Sequence, residues 1–418
     1  MLKPCQPWLL SVLVALMPLS LSIDPPIKAL PTALLFIVGV VLLVRFAQVR
    51  RSYRAAAPVL WMALLMIAYV ALNVAVHRLG WRPLDRPAHV LLYLVIAAAF
   101  ARSLRMQVVW IGFSLTAAVL GAVCVVQHFH LHIARAYGLN GGPSASAQLA
   151  TVLLGLALMA LLQVLSTRTR TWEKALHALA LVLGMYGALL TQSRGPLLAF
   201  VPVFVLLVLL RMRRTGQWRV GVALLLGLGF GAGLAMFALH GEVSDRFEAI
   251  GQEVATFDPQ TDASGAVRER LEMWRTAGRA LAEHPFVGVG LDRFGAFAHE
   301  EIAAGRSNAA IAPYNQPHNE YLKAAATGGV PGLLVLLLIF ALPLRFFVRH
   351  LRDADEAIAL PASAGAAIVL LYMLCGLTDS VFYRVMPQSF YFFVVIGLAV
   401  RVGWCTIDGK PRAPATLG

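Results

Sequence analysis

Runs of about 17–25 apolar residues recur along this chain, and very few folds accommodate such a pattern. Each run can cross roughly 30 Å of hydrocarbon as a helix, which satisfies every backbone N–H and C=O within the segment. Twelve candidate spans are expected, at roughly 7–23, 28–46, 57–76, 88–101, 107–127, 146–165, 175–191, 196–210, 219–239, 329–349, 359–378 and 387–403. The expected fold is therefore all-α, a polytopic membrane protein with about twelve transmembrane helices and one large helical loop. Of the 418 residues, 59% are hydrophobic and only 13% charged, with mean hydropathy +0.74, which excludes an ordinary soluble domain. The first run ends in LSLSIDPP without a small-x-small cleavage site, so it is expected to be retained as a span.

The only long polar stretch, 240–328, separates nine expected helices (1–239) from three more and a short tail (329–418). It is not a linker. Val267, Leu271, Trp274, Gly278 and Leu281 recur at helical spacing, so an amphipathic helix is expected over 266–283. Leu291, Phe294, Ala298 and Ile302 suggest a second, shorter helix. A third is expected to start with Pro317, a residue favoured at the first helical position, and to stop at Gly328-Gly329.

A net charge of +14 invites a nucleic-acid reading. In a membrane chain, however, Lys and Arg accumulate in short cytoplasmic connections, so no nucleic-acid partner is expected. One alternating set of connections plus both termini holds 20 Lys and Arg, against 7 in the short connections of the other set. Both termini are therefore expected in the cytoplasm and the long loop in the periplasm. The cysteines (Cys5, Cys124, Cys375, Cys405) lie in or beside apolar runs and suggest neither a disulfide framework nor a CxxC metal site.

Arg194 sits in the tight TQSRGP turn between two spans whose far ends are strongly basic. An arginine at that boundary is either a snorkelling side chain or a fixed cation for an anionic ligand. Arg268 and Arg270 open the loop helix; Arg270 shares a face with Trp274, whereas Arg268 lines up with Arg275 and Arg279. Guanidinium groups grip phosphate oxygens in pairs, so arginines gathered there suit a diphosphate. The alternative is a solvated face paired with Glu269 and Glu272. If Pro317 opens a helix, His318 lies near the positive end of its dipole, which disfavours imidazolium and leaves a proton acceptor. Asn319 follows it. A hydrogen-bonded loop histidine is the plainer reading. His128, His130 and His132 lack a nearby thiolate or carboxylate, and no DxD is present, so no metal is expected.

SRGP (193–196), RLEMW (270–274), HPFVGVGLDRFG (284–295) and PHNEYL (317–322), in this order, resemble the O-antigen ligase and polymerase superfamily. The resemblance covers roughly residues 185–400 and implies a GT-C-like architecture. It maps the family's functional residues onto Arg194, Arg270 (with Arg268 two residues away) and His318, with Asn319 and Trp274 in support. It further implies an inverting glycosyltransferase of the inner membrane. The donor would be a glycan on undecaprenyl diphosphate and the acceptor lipid A-core, with membrane lipid around the chain and no cofactor. An O-antigen polymerase or a protein O-oligosaccharyltransferase would use the same type of donor. A lipid-linked glycan transporter would instead favour ionisable residues buried mid-span, and the span centres have almost none.

Overall fold

The computed structural model describes residues 6–23, 25–102, 104–139, 142–238 and 265–408. Cys5, Asp24, the loop's first part (240–264) and the tail from 409 lie outside the described residues. Every regular element in the described residues is helical, in agreement with the all-α expectation. In chain order these are α1 (Gln6–Leu21), α2 (Pro25–Arg45), α3 (Ala47–Ala55), α4 (Ala57–Val76), α5 (Arg82–Ile96), α6 (Met106–Phe129), α7 (Ser146–Val164) and α8 (Thr171–Leu190). There follow α9 (Arg194–Thr215), α10 (Trp218–Ala238), α11 (Ala266–Glu283), α12 (Phe294–Ala303), α13 (Glu320–His350), α14 (Glu356–Cys375) and α15 (Val385–Asp408).

Nine helices in the described residues are long and apolar enough to cross a membrane, and the bent pair α2–α3 makes a tenth candidate. The remaining two of the twelve expected runs fall on the shorter apolar stretches Trp8–Leu21 and Trp218–Phe230. α3 turns by 100° from α2 at Phe46, whose extended backbone (φ −118°, ψ 106°) ends the helical ladder. The carbonyls left open there accept from Arg50 Nη1, those of Leu43 and Val44 at 2.6 and 2.9 Å. α3 buries Val49 and Ser52 and turns its arginines outward, as expected of a helix lying at an interface.

Burial separates the centre from the belt. In α7, 94% of the apolar window is inside the bundle, and in α14 and α15 the shares are 83% and 78%. These three helices form the core. Around it Trp61, Leu198, Leu226 and Phe230 are exposed, as apolar side chains facing lipid would be. At one end Arg211 of α9, almost wholly buried, pairs with Glu356 at 3.0 Å and fastens α9 to the start of α14.

The loop helix α11 matches its expected span, α12 starts at Phe294 and leaves Leu291 in the preceding turn, and Met273, Ala277, Phe294, Phe297 and Ile311 give them a small core of their own. The third helix departs from expectation at its start. It starts at Glu320 rather than Pro317, because the Asn319 side chain caps it by accepting from the N–H groups of Tyr321 and Leu322. Its other end is where expected, because a break at Gly329 (φ 63°, ψ −161°), a conformation open to glycine, separates it from the next span. Groups released by the break are taken up by segment 285–290. Val330 N–H donates to the Pro285 carbonyl at 2.7 Å, and the Ala326 and Thr327 carbonyls accept from Val289 and Gly290. Asn73 and His77 at the end of α4 bind the Val287 carbonyl, and Arg86 of α5 pairs with Asp292 at 2.9 Å. The loop is thus fastened to three span ends.

Candidate active site

His318 does not occupy the first turn of a helix as the sequence suggested. It precedes the Asn319 cap and adopts a left-handed backbone (φ 49°), which costs a non-glycine residue about 1–3 kcal/mol. Hydrogen bonds on both sides hold it there. Trp274 Nε1 donates to the Pro317 carbonyl at 3.0 Å, Asn319 Nδ2 to the Leu377 carbonyl at 3.0 Å, and Glu320 N–H to the Gly376 carbonyl at 2.8 Å. Glu320 in turn accepts from Phe382 N–H. The loop and the 376–382 turn therefore define the position of His318 together.

That turn supplies a residue the sequence reading passed over. Asp379, 8% exposed, holds its Oδ1 3.2 Å from His318 Nδ1 and accepts there from Ser380 N–H at 2.8 Å. The Gln148 amide lies 3.3 Å from Oδ2, and a carboxylate oxygen offers lone pairs rather than a proton. The same rule makes His318 Nδ1 the donor and leaves the lone pair on Nε2. The His318 side chain is 30% exposed, so a reactant can reach it. The expected effect of a helix terminus is replaced by a carboxylate partner. A lone Asp in a short turn, 61 residues along the chain, gave no sequence signal beyond being polar at a span end.

The arginines connect to this pair through one residue each. Arg194 opens α9 and is exposed. Its neighbour Gly195 sits so close to Thr378 that an added Cβ would lie 2.2 Å from the threonine hydroxyl. Only glycine lets the Arg194 turn rest against the residue beside Asp379. The preceding turn is held by Arg135 Nε and Ala136 N–H, which donate to the Thr191 and Leu190 carbonyls.

Arg270 is exposed on α11, and its charge acts on the Tyr314 hydroxyl, whose ring stands edge-on to His318 at 5.7 Å. Tyr314 donates to Glu269 at 2.5 Å; that bond, burial and the Glu269 charge push its pKa to about 12, with Arg270 opposing. Arg268 is half-buried on the same helix. The expected row of Arg268, Arg275 and Arg279 divides differently. Arg275 is paired with Glu272 at 2.7 Å and Arg279 with Glu301 at 2.9 Å. Glu301 also pairs with Arg306, whose hydrogen bond holds the carboxyl below its ordinary value. Among the described residues no group of three or more His, Cys, Asp or Glu is gathered as a metal site.

A many-span helical membrane protein with a histidine–carboxylate pair beneath a helical loop is the class these features define. The family follows from comparison with known proteins. Residues 179–337 match the family model described as O-antigen ligase, a segment that includes Arg194, Arg270 and His318 and stops short of Asp379. An O-antigen ligase of Pseudomonas aeruginosa is 28% identical over 221 residues, 52% of this chain and 45% of that protein. The chain thus spans under half the length of that relative. An uncharacterized protein of Haemophilus influenzae is 20% identical over 283 residues, 67% of this chain and 70% of that protein. Together the family match and the Pseudomonas relative support the O-antigen ligase superfamily.

Proposed function

We propose that the chain is an O-antigen ligase that moves a glycan from undecaprenyl diphosphate to lipid A-core, on the periplasmic face of the inner membrane with both termini cytoplasmic. The observation that carries this reading is the accessible His318 imidazole, held through Nδ1 by buried Asp379 beside two arginine-bearing elements. A sugar hydroxyl needs its proton removed as it attacks, and Nε2 is the free basic atom. As the proton passes to Nε2, the hydroxyl oxygen bonds to the anomeric carbon. The bond to the diphosphate breaks on the opposite face, and the lipid diphosphate departs with the electron pair. The anomeric centre is inverted. Asp379 keeps the imidazole in the required tautomer and offsets its positive charge.

Arg194 and Arg270 hold the diphosphate and take up the charge that grows on it, the kind of stabilisation often worth several kcal/mol. A diphosphate is already a good leaving group, so neither metal nor nucleotide is needed. The test is transfer by the purified protein in lipid, with lipid-linked glycan and lipid A-core as the substrates, in excess EDTA and without ATP. Continued transfer is expected. Activity lost on chelation and restored by Mg²⁺ would overturn the arginine mechanism. In cells, deletion should leave bare core with the glycan still on its lipid carrier.

A further inference from the structure

A cleft lies next to Gln148, the residue in contact with Asp379. It encloses about 860 Å³ between α2, α5 and the start of α15. Phe36 and Ile37 of α2 and Leu92 and Tyr93 of α5 make an apolar wall at membrane-facing helices. Its mouth is polar. Arg384 lines it half-buried with a single hydrogen bond, to Ser144 Oγ at 2.9 Å, and without a carboxylate partner among the described residues. His89 lines it too, and its Nδ1 is buried without a hydrogen-bond partner among the described residues. Arg86 at the same mouth is already engaged by Asp292, and Asp85 is the one carboxylate of the lining. Gln148 forms part of the wall and is also the residue that touches Asp379.

We infer that this cleft is the berth of the second lipid substrate, a phosphorylated glycolipid acceptor, whose phosphate binds Arg384 while one chain lies along the apolar wall. The inference rests on the transferase reading above and extends it. Both reactants stay anchored in the bilayer, so each needs its own lateral approach to His318. The Arg194 and Arg270 elements serve the diphosphate of the donor. The cleft lies next to Gln148 and offers what the other lipid needs, an apolar wall under a guanidinium with unused donors. A guanidinium–phosphate contact is bidentate and selects a phosphate over a neutral sugar head. Asp85 disfavours an anion at the outer edge, which leaves the Arg384 side as the place for the phosphate.

The experiment uses the full chain in nanodiscs, with bis-phosphorylated lipid A and undecaprenyl diphosphate as separate probes. Arg384→Glu is expected to weaken lipid A binding by about 10-fold or more, the size of a lost charge-assisted hydrogen bond. Undecaprenyl diphosphate binding should be unchanged. Lipid A with its phosphates removed should bind the unaltered protein as weakly as phosphorylated lipid A binds the variant. A photo-crosslinking residue at Ile37, otherwise in the unaltered chain, should capture lipid A and not undecaprenyl diphosphate, which serves if Arg384→Glu folds poorly. Unchanged lipid A affinity, or capture of undecaprenyl diphosphate at Ile37, would overturn the assignment. Arg384-dependent lipid A binding in a protein that shows no transfer would sink the ligase reading and leave the cleft standing.

Discussion

Two sets of arginines have opposite circumstances. Arg275, Arg279 and Arg306 are tied to Glu272 and Glu301, both carboxylates almost wholly buried. Arg270, on the same helix as Arg275 and Arg279, is exposed and has no carboxylate partner among the described residues; neither has Arg194. A guanidinium already matched to a carboxylate has little to offer a phosphate and serves the fold. One left in the open, beside a histidine–carboxylate pair, is available to a ligand. The residue type is the same, and the partner decides the role.

The sharpest break in this comparison would come at the pair proposed to do the chemistry. His318→Ala should lower transfer by about 10²–10⁴, the usual worth of general-base help, while the protein assembles and binds lipid-linked donor. His318→Gln should do no better, since it cannot take the proton. Near-normal transfer by either would make His318 a structural loop residue. Asp379→Asn should reduce kcat by about 10²-fold with little change in donor KM, because an amide NH2 donating to Nδ1 would favour the other tautomer.

The exposed arginines come next. Lysine keeps the charge and loses the planar fork, so Arg194→Lys and Arg270→Lys should each slow transfer by about 10-fold or more. Arg275→Lys should instead leave turnover near normal in protein that remains folded. Equal effects across the two sets, in the same transfer assay, would dissolve the distinction. Gly195→Ala should fall between them, because its methyl would push the Arg194 turn off Thr378.

The smallest effect belongs to the paired set and to acid. Glu301 is held below its ordinary value of 4.5, foremost by the Arg306 hydrogen bond. A carboxyl whose folded value is depressed adds stability that is present above the ordinary value and is lost as pH falls through the folded one. Thermal unfolding of Glu301→Gln should therefore lie below that of the unaltered protein at neutral pH, and the gap should narrow below about pH 4. A constant gap across that range would show that Glu301 acts through packing instead.

Most of the fold is legible in the sequence because membrane helices and amphipathic loop helices carry their own periodicity. The runs ending near Phe129, Val164 and Leu190, and the pattern from Val267 to Leu281, need no partner to be recognised. The site is legible only where local. PHNEYL offers two residues able to start a helix, and proline preference favours one while the capping chemistry of Asn319 favours the other. The second wins because its side chain satisfies two open N–H groups and also reaches Leu377. Asp379 stayed hidden because its meaning comes from a partner 61 residues away. The capping preference of asparagine before Glu320 could have moved the helix start. No comparable local signal marks Asp379.

The burial of α7 has a consequence for how the protein is made. Synthesis runs from the N-terminus, so α7 enters the membrane long before α14 and α15, the last helices, exist to enclose it. Asp379 lies in the turn between those two, and His318 arrives only just ahead of them. A chain halted midway has an unwrapped centre and no histidine–carboxylate pair at all. On the proposed reading, reactivity is therefore postponed until the bundle closes, and an unfinished copy lacks the pair that would act on the glycan.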